Sequence, residues 1–135
     1  MPTPEETTVL VVDDEADARA YMSAILEDEG YKVVTAADGQ EALERLEESK
    51  PALISLDLVM PKLSGYKLHQ KLKTKREWRG IPVLIVTGHA RDDLGRDDFE
   101  KVTTLGNCAY LEKPIKAAQY LEAVEMLLAG EAADA

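Results

Sequence analysis

The sequence alternates short apolar runs rich in β-branched residues with longer segments whose apolar residues recur at helical spacing. Residues 9–12 form such a run, and a run that is apolar throughout is typical of a strand buried on both faces. Residues 17–29 show the helical pattern, with apolar side chains at every third or fourth position. Strict alternation of this kind requires right-handed crossovers between parallel strands. The sequence therefore predicts an α/β domain in which helices cover both faces of a parallel sheet.

The boundaries of the predicted elements follow from the turn and breaker residues. Strands are predicted over 9–12, 32–36, 53–56, 81–86 and 109–111. Pro82 is expected at the start of the fourth strand, because proline cannot donate a ladder hydrogen bond. Helices are predicted over 17–29, after Asp38 and Gly39, after Pro61, Ser64 and Gly65, between 91 and Gly106, and from Pro114 onward. A single domain is expected over 1–135, with its core at 9–129 and flexible ends at 1–7 and 130–135.

Composition and charge exclude several classes of function. The chain has 26 acidic residues against 16 Lys and Arg, a net charge of −10, which argues against direct binding to nucleic acid. The sequence has neither a secretory leader nor an apolar run of about 18 residues, so we do not expect membrane insertion. We expect a cytoplasmic location. The single cysteine, Cys108, excludes an internal disulfide. Basic residues cluster at 62–79, either as a solvated helix face or as a docking patch for an acidic partner.

The residues with useful chemistry come directly at the ends of the predicted strands. Asp13 and Asp14 follow the first strand, and Asp57 follows the third. Thr87 ends the fourth strand, and Lys113 follows the fifth. Sites in open α/β sheets lie at the carboxyl ends of the strands, near the point where strand order reverses. The fold is therefore expected to bring carboxylates, a hydroxyl and an ammonium together.

Carboxylates held this close repel one another, and burial increases the repulsion. Mg²⁺ relieves it, because this cation takes oxygen ligands and is commonly held by one or two carboxylates and phosphate oxygens. Asp57 is then a candidate nucleophile for a phosphoryl group, with Lys113 and Thr87 facing the phosphoryl oxygens. Taken singly, the residues have plainer interpretations: a helix N-cap for the aspartate pair, a turn for Thr87 and a surface position for Lys113.

Together these residues make the chain resemble the receiver domain of two-component response regulators, in particular the stand-alone, chemotaxis-like kind. The resemblance covers residues 9–128 and rests on 11–15 (VVDDE), 56–61 (LDLVMP), 64–65 (SG), 86–88 (VTG) and 110–114 (YLEKP). It implies a flavodoxin-like (βα)5 fold, a three-layer sandwich around a five-stranded parallel sheet in the order 2-1-3-4-5. It also implies a partner, either a sensor histidine kinase or a histidine phosphotransfer protein.

The resemblance further implies a role for each matching residue at the site. Asp57 is implied to be the phosphoacceptor and Lys113 the lysine that pairs with the phosphoryl group. Mg²⁺, with Mn²⁺ as a possible substitute, is implied to be bound by Asp13, Asp14, Asp57 and the backbone carbonyl of Val59. Val59 and His89 stand where the family tunes the loss of the phosphoryl group. The bond between Lys113 and Pro114 is expected to be cis.

The output is implied to be a change of shape. Thr87 is expected to move toward the phosphoryl oxygens, and Tyr110 to rotate into the space that it leaves. The face formed by the fourth predicted helix, the fifth strand and the last helix would then bind a downstream protein, and the chain would be a monomer or weak dimer. The alternative for Tyr110 is a fixed, half-buried strand aromatic. The segment between Thr87 and Gly106 is longer than is usual in the family, and the aspartates in 91–98 either solubilise it or shape partner choice.

Other classes of function remain as alternatives. A phosphatase of the haloacid dehalogenase kind needs a second aspartate where Val59 stands, and a flavin binder needs a loop without the acidic pair Asp13 and Asp14. A third alternative is a receiver-like scaffold that is never phosphorylated, and a fourth is a receiver cut from a longer regulator with an output domain. The leading prediction is a signalling module with a phosphorylatable Asp57, and not an enzyme with turnover.

Overall fold

The computed structural model describes residues 7–57, 65–87 and 108–129. Its strands are β1 (Thr8–Val12), β2 (Lys32–Ala36), β3 (Leu53–Leu56), β4 (Val83–Thr87) and β5 (Cys108–Glu112). Its helices are α1 (Ala16–Asp28), α2 (Gly39–Glu48), α3 (Gly65–Thr74) and a C-terminal helix (Ala117–Leu128). The β–α alternation predicted from the sequence is therefore present throughout the described ranges.

The strands form one parallel sheet in the order β2-β1-β3-β4-β5, as the resemblance implied. Strand order reverses at β1, which pairs with β2 on one side and with β3 on the other. Val12, at the carboxyl end of β1, lies in register with Ala36 of β2 and with Leu56 of β3. A site at this reversal point is therefore open to side chains from the loops that follow β1 and β3.

The side chains of the sheet alternate between two apolar layers. Val9 and Val11 of β1 pack with α1 and the C-terminal helix, whereas Leu10 and Val12 pack with α2 and α3. Both layers are built mainly of buried aliphatic side chains. The strands β1 and β3 are buried along nearly their whole length, which accounts for their continuous apolar runs, whereas the edge strand β2 is only partly buried. The result is a three-layer sandwich, and it confirms the predicted fold class.

Two predicted boundaries are wrong by a few residues. The last helix was predicted from Pro114 but begins at Ala117, because Lys116 has the extended backbone of a residue that precedes a helix (φ −107°, ψ 140°). The fourth strand was predicted from residue 81 but begins at Val83. Pro82 precedes the ladder, as the proline argument requires, and its carbonyl oxygen accepts a hydrogen bond from the backbone N–H of Ile54. The peptide bond between Lys113 and Pro114 is cis, as expected.

Several sequence predictions concern residues outside the described ranges. These are Val59, Pro61, Ser64, His89, the fourth predicted helix with Gly106, and the two ends of the chain. Within the described ranges, no helix is long and apolar enough to cross a membrane.

Candidate functional site

The sheet itself positions the two buried aspartates of the site. The backbone N–H of Asp57 donates to the carbonyl oxygen of Val12 at 3.0 Å, and that of Asp13 donates to the carbonyl oxygen of Ala36 at 3.1 Å. Each aspartate thus extends the hydrogen bonding of the sheet by one residue past the end of its strand. Asp13 and Asp57 therefore lie side by side at the carboxyl edge, where strand order reverses.

Asp13, Asp14 and Asp57 form an acidic trio. Each offers a carboxylate oxygen, and these oxygens lie within 4.8 Å of one another. Asp13 is 0% exposed and Asp57 only 6% exposed, while Asp14 faces solvent. Water screens the two buried carboxylates poorly, so their repulsion favours a bound cation.

Lys113 reaches this trio from the loop after β5. Its Nζ lies 2.7 Å from Oδ2 of Asp13, 3.4 Å from Oε1 of Glu15 and 3.6 Å from Oδ2 of Asp57. Burial acts to lower the pKa of Lys113, but the hydrogen bond to Asp13 and the surrounding carboxylate charges outweigh it, and the pKa is raised above its ordinary value. The ammonium is therefore held in its charged form beside the carboxylate of Asp57.

The loop between β1 and α1 is folded around the carboxylate and the carbonyl of Asp13. Oδ1 of Asp13 accepts a hydrogen bond from the backbone N–H of Glu15 at 2.9 Å. The backbone carbonyl of Asp13 accepts one from Nη1 of Arg19 at 2.7 Å. Glu15 precedes α1 as its N-cap residue, and its side chain makes no capping hydrogen bond. The plainer interpretation of Asp13 and Asp14 as a simple N-cap is therefore wrong.

Sequence reasoning missed the contacts of Glu15 and Arg19. A signal for Arg19 was present, because it is the one basic residue among the first 30. It also stands four positions after Glu15, and its backbone N–H closes the first turn of α1 on the carbonyl of Glu15 at 3.0 Å. Its side chain can therefore fold back over the first turn toward the end of β1.

The proposed switch residues are placed by the backbone of the last two strands. Thr87 is the final residue of β4 and pairs in register with Glu112. Tyr110 pairs with Ile85, and its half-buried ring packs against the apolar layer beneath α2 and α3. This position suits both interpretations of Tyr110, as a switch and as a fixed strand aromatic.

Polar groups lie inside both apolar layers. Ser55 of β3 is buried one layer below Asp57, with its Oγ 3.7 Å from Sδ of Met22. The hydroxyl of Tyr120 is buried on the same side of the sheet, near the side chain of Ser55, but it forms no well-aligned hydrogen bond within the described residues. On the opposite side, burial raises the pKa of the Cys108 thiol to about 12, although the nearby charge of Lys73 acts to lower it.

The basic segment lies on α3 and the turn that follows it. Its exposed members in the described ranges are Lys67, Lys71, Lys75, Arg76 and Arg79. Lys75 is paired with Glu47 at 3.4 Å and with Glu77 at 3.7 Å. Exposure of this kind suits both a solvated face and a docking patch, so the two interpretations stay open.

The comparisons with known proteins agree with this geometry. Residues 9–125 match the family of the response regulator receiver domain. The chain is 37% identical over 122 residues to the alkaline phosphatase synthesis transcriptional regulatory protein PhoP of Bacillus subtilis, a match that covers 89% of this chain and 48% of PhoP. It is 31% identical over 123 residues to the polar-differentiation response regulator DivK of Brucella anthropi, covering 91% and 96% of the two chains.

Solved structures show the same likeness. The chemotaxis protein CheY4 of Vibrio cholerae superimposes with a TM-score of 0.77 and 27% identity, covering 90% of this chain and 98% of CheY4. The signal receiver domain of a signal transduction histidine kinase from Syntrophus aciditrophicus gives a TM-score of 0.80 and 30% identity, covering 92% of this chain and 91% of that one.

The chain belongs to the receiver domains of two-component response regulators. This confirms the family resemblance that the strand-end motifs indicated. Receiver domains are signal-transduction modules, and both phosphorylation on aspartate and Mg²⁺ binding are implied by the family. The chain spans about half the length of PhoP and of the regulator PdtaR of Mycobacterium tuberculosis, two of the curated relatives that it matches.

Proposed function

We propose that this receiver accepts a phosphoryl group on Asp57 from the phosphohistidine of a histidine kinase or a histidine phosphotransfer protein. The observation that carries the proposal is the buried carboxylate of Asp57, with the ammonium of Lys113 3.6 Å away and the acidic pair Asp13 and Asp14 beside it. A nucleophile, a cation for the transferred group and a cluster of oxygen ligands thus meet at one edge of the sheet. These are the parts that phosphoryl transfer requires.

In the proposed step, a carboxylate oxygen of Asp57 forms a bond to phosphorus as the P–N bond of the phosphohistidine breaks. The electron pair of that bond returns to the imidazole of the donor. Lys113 is already near Oδ2 of Asp57, so its ammonium is placed to pair with an oxygen of the incoming group. No general base is needed, because the attacking group is a carboxylate.

The residues present fit a hard divalent cation. The carboxylates of Asp13, Asp14, Asp57 and Glu15 outnumber the cations Lys113 and Arg19 in the immediate surroundings. A phosphoryl group entering this negative site would be repelled. Mg²⁺, or Mn²⁺ in its place, would be held by Asp13, Asp14, Asp57 and the carbonyl of Val59, and when bound it would neutralise charge on the phosphoryl oxygens.

The proposed output is an interaction with a downstream protein. Thr87 is proposed to follow the phosphoryl group and Tyr110 to turn inward, which reshapes the face formed by the fourth predicted helix, β5 and the C-terminal helix. His89 and Val59 are proposed to tune how long the phosphoryl group persists. The chain is proposed to act once per phosphorylation, as a cytoplasmic monomer or weak dimer, and not as an enzyme with turnover.

Intact-mass spectrometry after incubation with acetyl phosphate and Mg²⁺ tests the proposal. One phosphoryl adduct is expected on the wild type and on Asp17→Asn, a control outside the site. No adduct is expected on Asp57→Asn or in the presence of a chelator. An adduct that persists on Asp57→Asn would place the phosphoacceptor elsewhere. No adduct from acetyl phosphate or from a panel of phosphorylated histidine kinases would favour the scaffold alternative.

The coupling to Tyr110 is tested separately with Thr87→Ala. This variant is expected to accept the phosphoryl group while its tyrosine environments, followed by near-UV circular dichroism, stay as in the unphosphorylated wild type. A full phosphorylation-dependent change in the variant would show that Thr87 does not transmit the signal.

A further inference from the structure

We propose that Arg19 is a positioning residue of the cation site: it fixes the loop that carries Asp14, and thereby sets the selectivity of the site for Mg²⁺ over a larger cation. This inference rests on the proposed cation site and concerns a residue that belongs to no part of the strand-end motif. Arg19 touches neither the phosphoacceptor nor a ligand carboxylate in the described contacts. It acts through the backbone of Asp13.

The contact is direct and short. Arg19 lies in the first turns of α1, is half-buried, and donates Nη1 to the backbone carbonyl of Asp13 at 2.7 Å. A hydrogen bond from a guanidinium to a carbonyl is charge-assisted and stronger than a neutral one. It holds the peptide plane that joins Asp13 to Asp14, and so limits the rotation that would swing Asp14 away from the trio.

The two neighbouring aspartates differ in how they are held. Both carboxylate oxygens of Asp13 are engaged, Oδ1 by the N–H of Glu15 and Oδ2 by Lys113. The exposed carboxylate of Asp14 has no hydrogen bond or ion pair within the described residues, so the backbone fixes only the direction in which its side chain leaves the loop. Two hydrogen bonds hold the backbone on either side of Asp14: Arg19 donates to the carbonyl before it, and the N–H of Glu15 after it donates to Asp13. Arg19 is the one of these contacts that a side-chain substitution can remove without changing a ligand.

The effect of Arg19 on Asp14 can be measured by comparing the affinities of the site for a small and a large cation. Mg²⁺ demands near-ideal octahedral geometry with short bonds, whereas Ca²⁺ accepts longer bonds and irregular geometry. A loosened Asp14 should therefore weaken Mg²⁺ binding more than Ca²⁺ binding. The charge of Arg19 has the opposite effect, because a cation near the site repels both metals equally. A fall in Mg²⁺ affinity with a change in selectivity thus separates positioning from simple electrostatics.

The test is calorimetric titration of the metal-free full chain with Mg²⁺ and with Ca²⁺. Arg19→Ala is expected to weaken Mg²⁺ binding by about tenfold or more, the usual effect of losing a group that orients a metal ligand, and Ca²⁺ binding by clearly less. Arg19→Lys keeps a donor and the charge, so its Mg²⁺ affinity should lie between those of the wild type and Arg19→Ala. Arg45→Ala is the matched control, because Nε of Arg45 donates to the carbonyl of Thr35 at 3.3 Å on β2. It should leave both affinities unchanged.

The outcomes separate this inference from the proposed function. Wild-type protein that binds neither cation would overturn the proposed cation site itself. Wild-type binding with equal changes of Mg²⁺ and Ca²⁺ affinity in Arg19→Ala, or with a gain in both, would overturn only the positioning role. Circular dichroism identifies a variant that fails to fold. If Arg19→Ala does so, Arg19→Lys decides, and unchanged selectivity in that variant would overturn the inference.

Discussion

Removing the charge of Asp14 is expected to stabilise the metal-free protein. Its carboxylate lies within 4.8 Å of those of Asp13 and Asp57, and it forms no hydrogen bond or ion pair with the described residues in return. Two charges at that separation repel by about 1 kcal/mol in a medium as polar as water, the appropriate limit for an exposed group. The ammonium of Lys113, which lies beside both of those carboxylates, offsets about one of the two repulsions, so Asp14→Asn should raise the free energy of unfolding by about 1 kcal/mol at low ionic strength.

The same substitution should reverse its effect when Mg²⁺ is added. Binding to the folded state alone stabilises a protein by about 2.7 kcal/mol when the ligand is at a hundred times its dissociation constant. The wild type should gain this stability, and Asp14→Asn should lose most of it with one of its ligands. Asp14→Asn should therefore be the more stable protein in chelator, and the wild type the more stable one in excess Mg²⁺.

Thermal unfolding followed by far-UV circular dichroism measures both effects. A gain of about 1 kcal/mol corresponds to a midpoint shift of roughly 3 to 5 °C for a domain of this size, and the shift should shrink in high salt. Asp17→Asn is the control, since it removes a charge from the first turn of α1 outside the trio and should lower stability by a few tenths of a kcal/mol or less. If Asp14→Asn melts no higher than the wild type in chelator at low salt, the trio is not a repulsive cluster, and the argument for a cation there is refuted.

Three further predictions concern buried or half-buried side chains. The thiol of Cys108, with its pKa raised to about 12 by burial, should react with iodoacetamide about a hundredfold more slowly in the folded than in the urea-unfolded chain, as followed by mass; equal rates would contradict its burial. The pKa of Lys113 is raised on folding, so its pairing stabilises the fold below the ordinary value of 10.5 and is lost as the pH rises through the folded value. Urea unfolding should show this alkaline loss in the wild type and not in Lys113→Met. Tyr120→Phe removes a buried hydroxyl that lies near Ser55 but forms no well-aligned hydrogen bond in the described ranges, so the free energy of unfolding should hold or rise by up to about 1 kcal/mol. A clear loss would mean that the hydroxyl is bonded to Ser55.

Local pattern predicted the strands well because their environment is uniform. Residues 9–12 and 53–56 are buried on both faces, so every position must be apolar or small and the signal does not depend on register. The start of the last helix was predicted less well, because a helix start depends on backbone angles that a residue type only biases. Pro114 is a residue type common at a first helical position, yet the extended conformation of Lys116 delays the helix to Ala117.

The site was predicted in outline because strand ends converge in a parallel sheet. Asp13, Asp57 and Lys113 could be brought together by topology alone, without any side-chain geometry. The contacts of Glu15 and Arg19 could not, since they depend on how the first turn of α1 folds back over the end of β1. The hydroxyl of Tyr120 escaped notice for a related reason, because its position in an apolar helical stripe predicts burial and says nothing of its polar atom.

Trp78, the one tryptophan in the chain, follows α3 just before β4 begins, with the ammonium of Lys75 4.5 Å from its ring centre. Trp78 therefore lies near the amino ends of the strands, whereas the acidic trio lies at their carboxyl ends. Its indole is 5% exposed and belongs to the apolar layer beneath α2 and α3. The intrinsic fluorescence of the protein should therefore follow loss of the folded core while staying silent when a cation enters. A fluorescence titration with a cation will therefore need a fluorophore installed at the carboxyl end of the sheet.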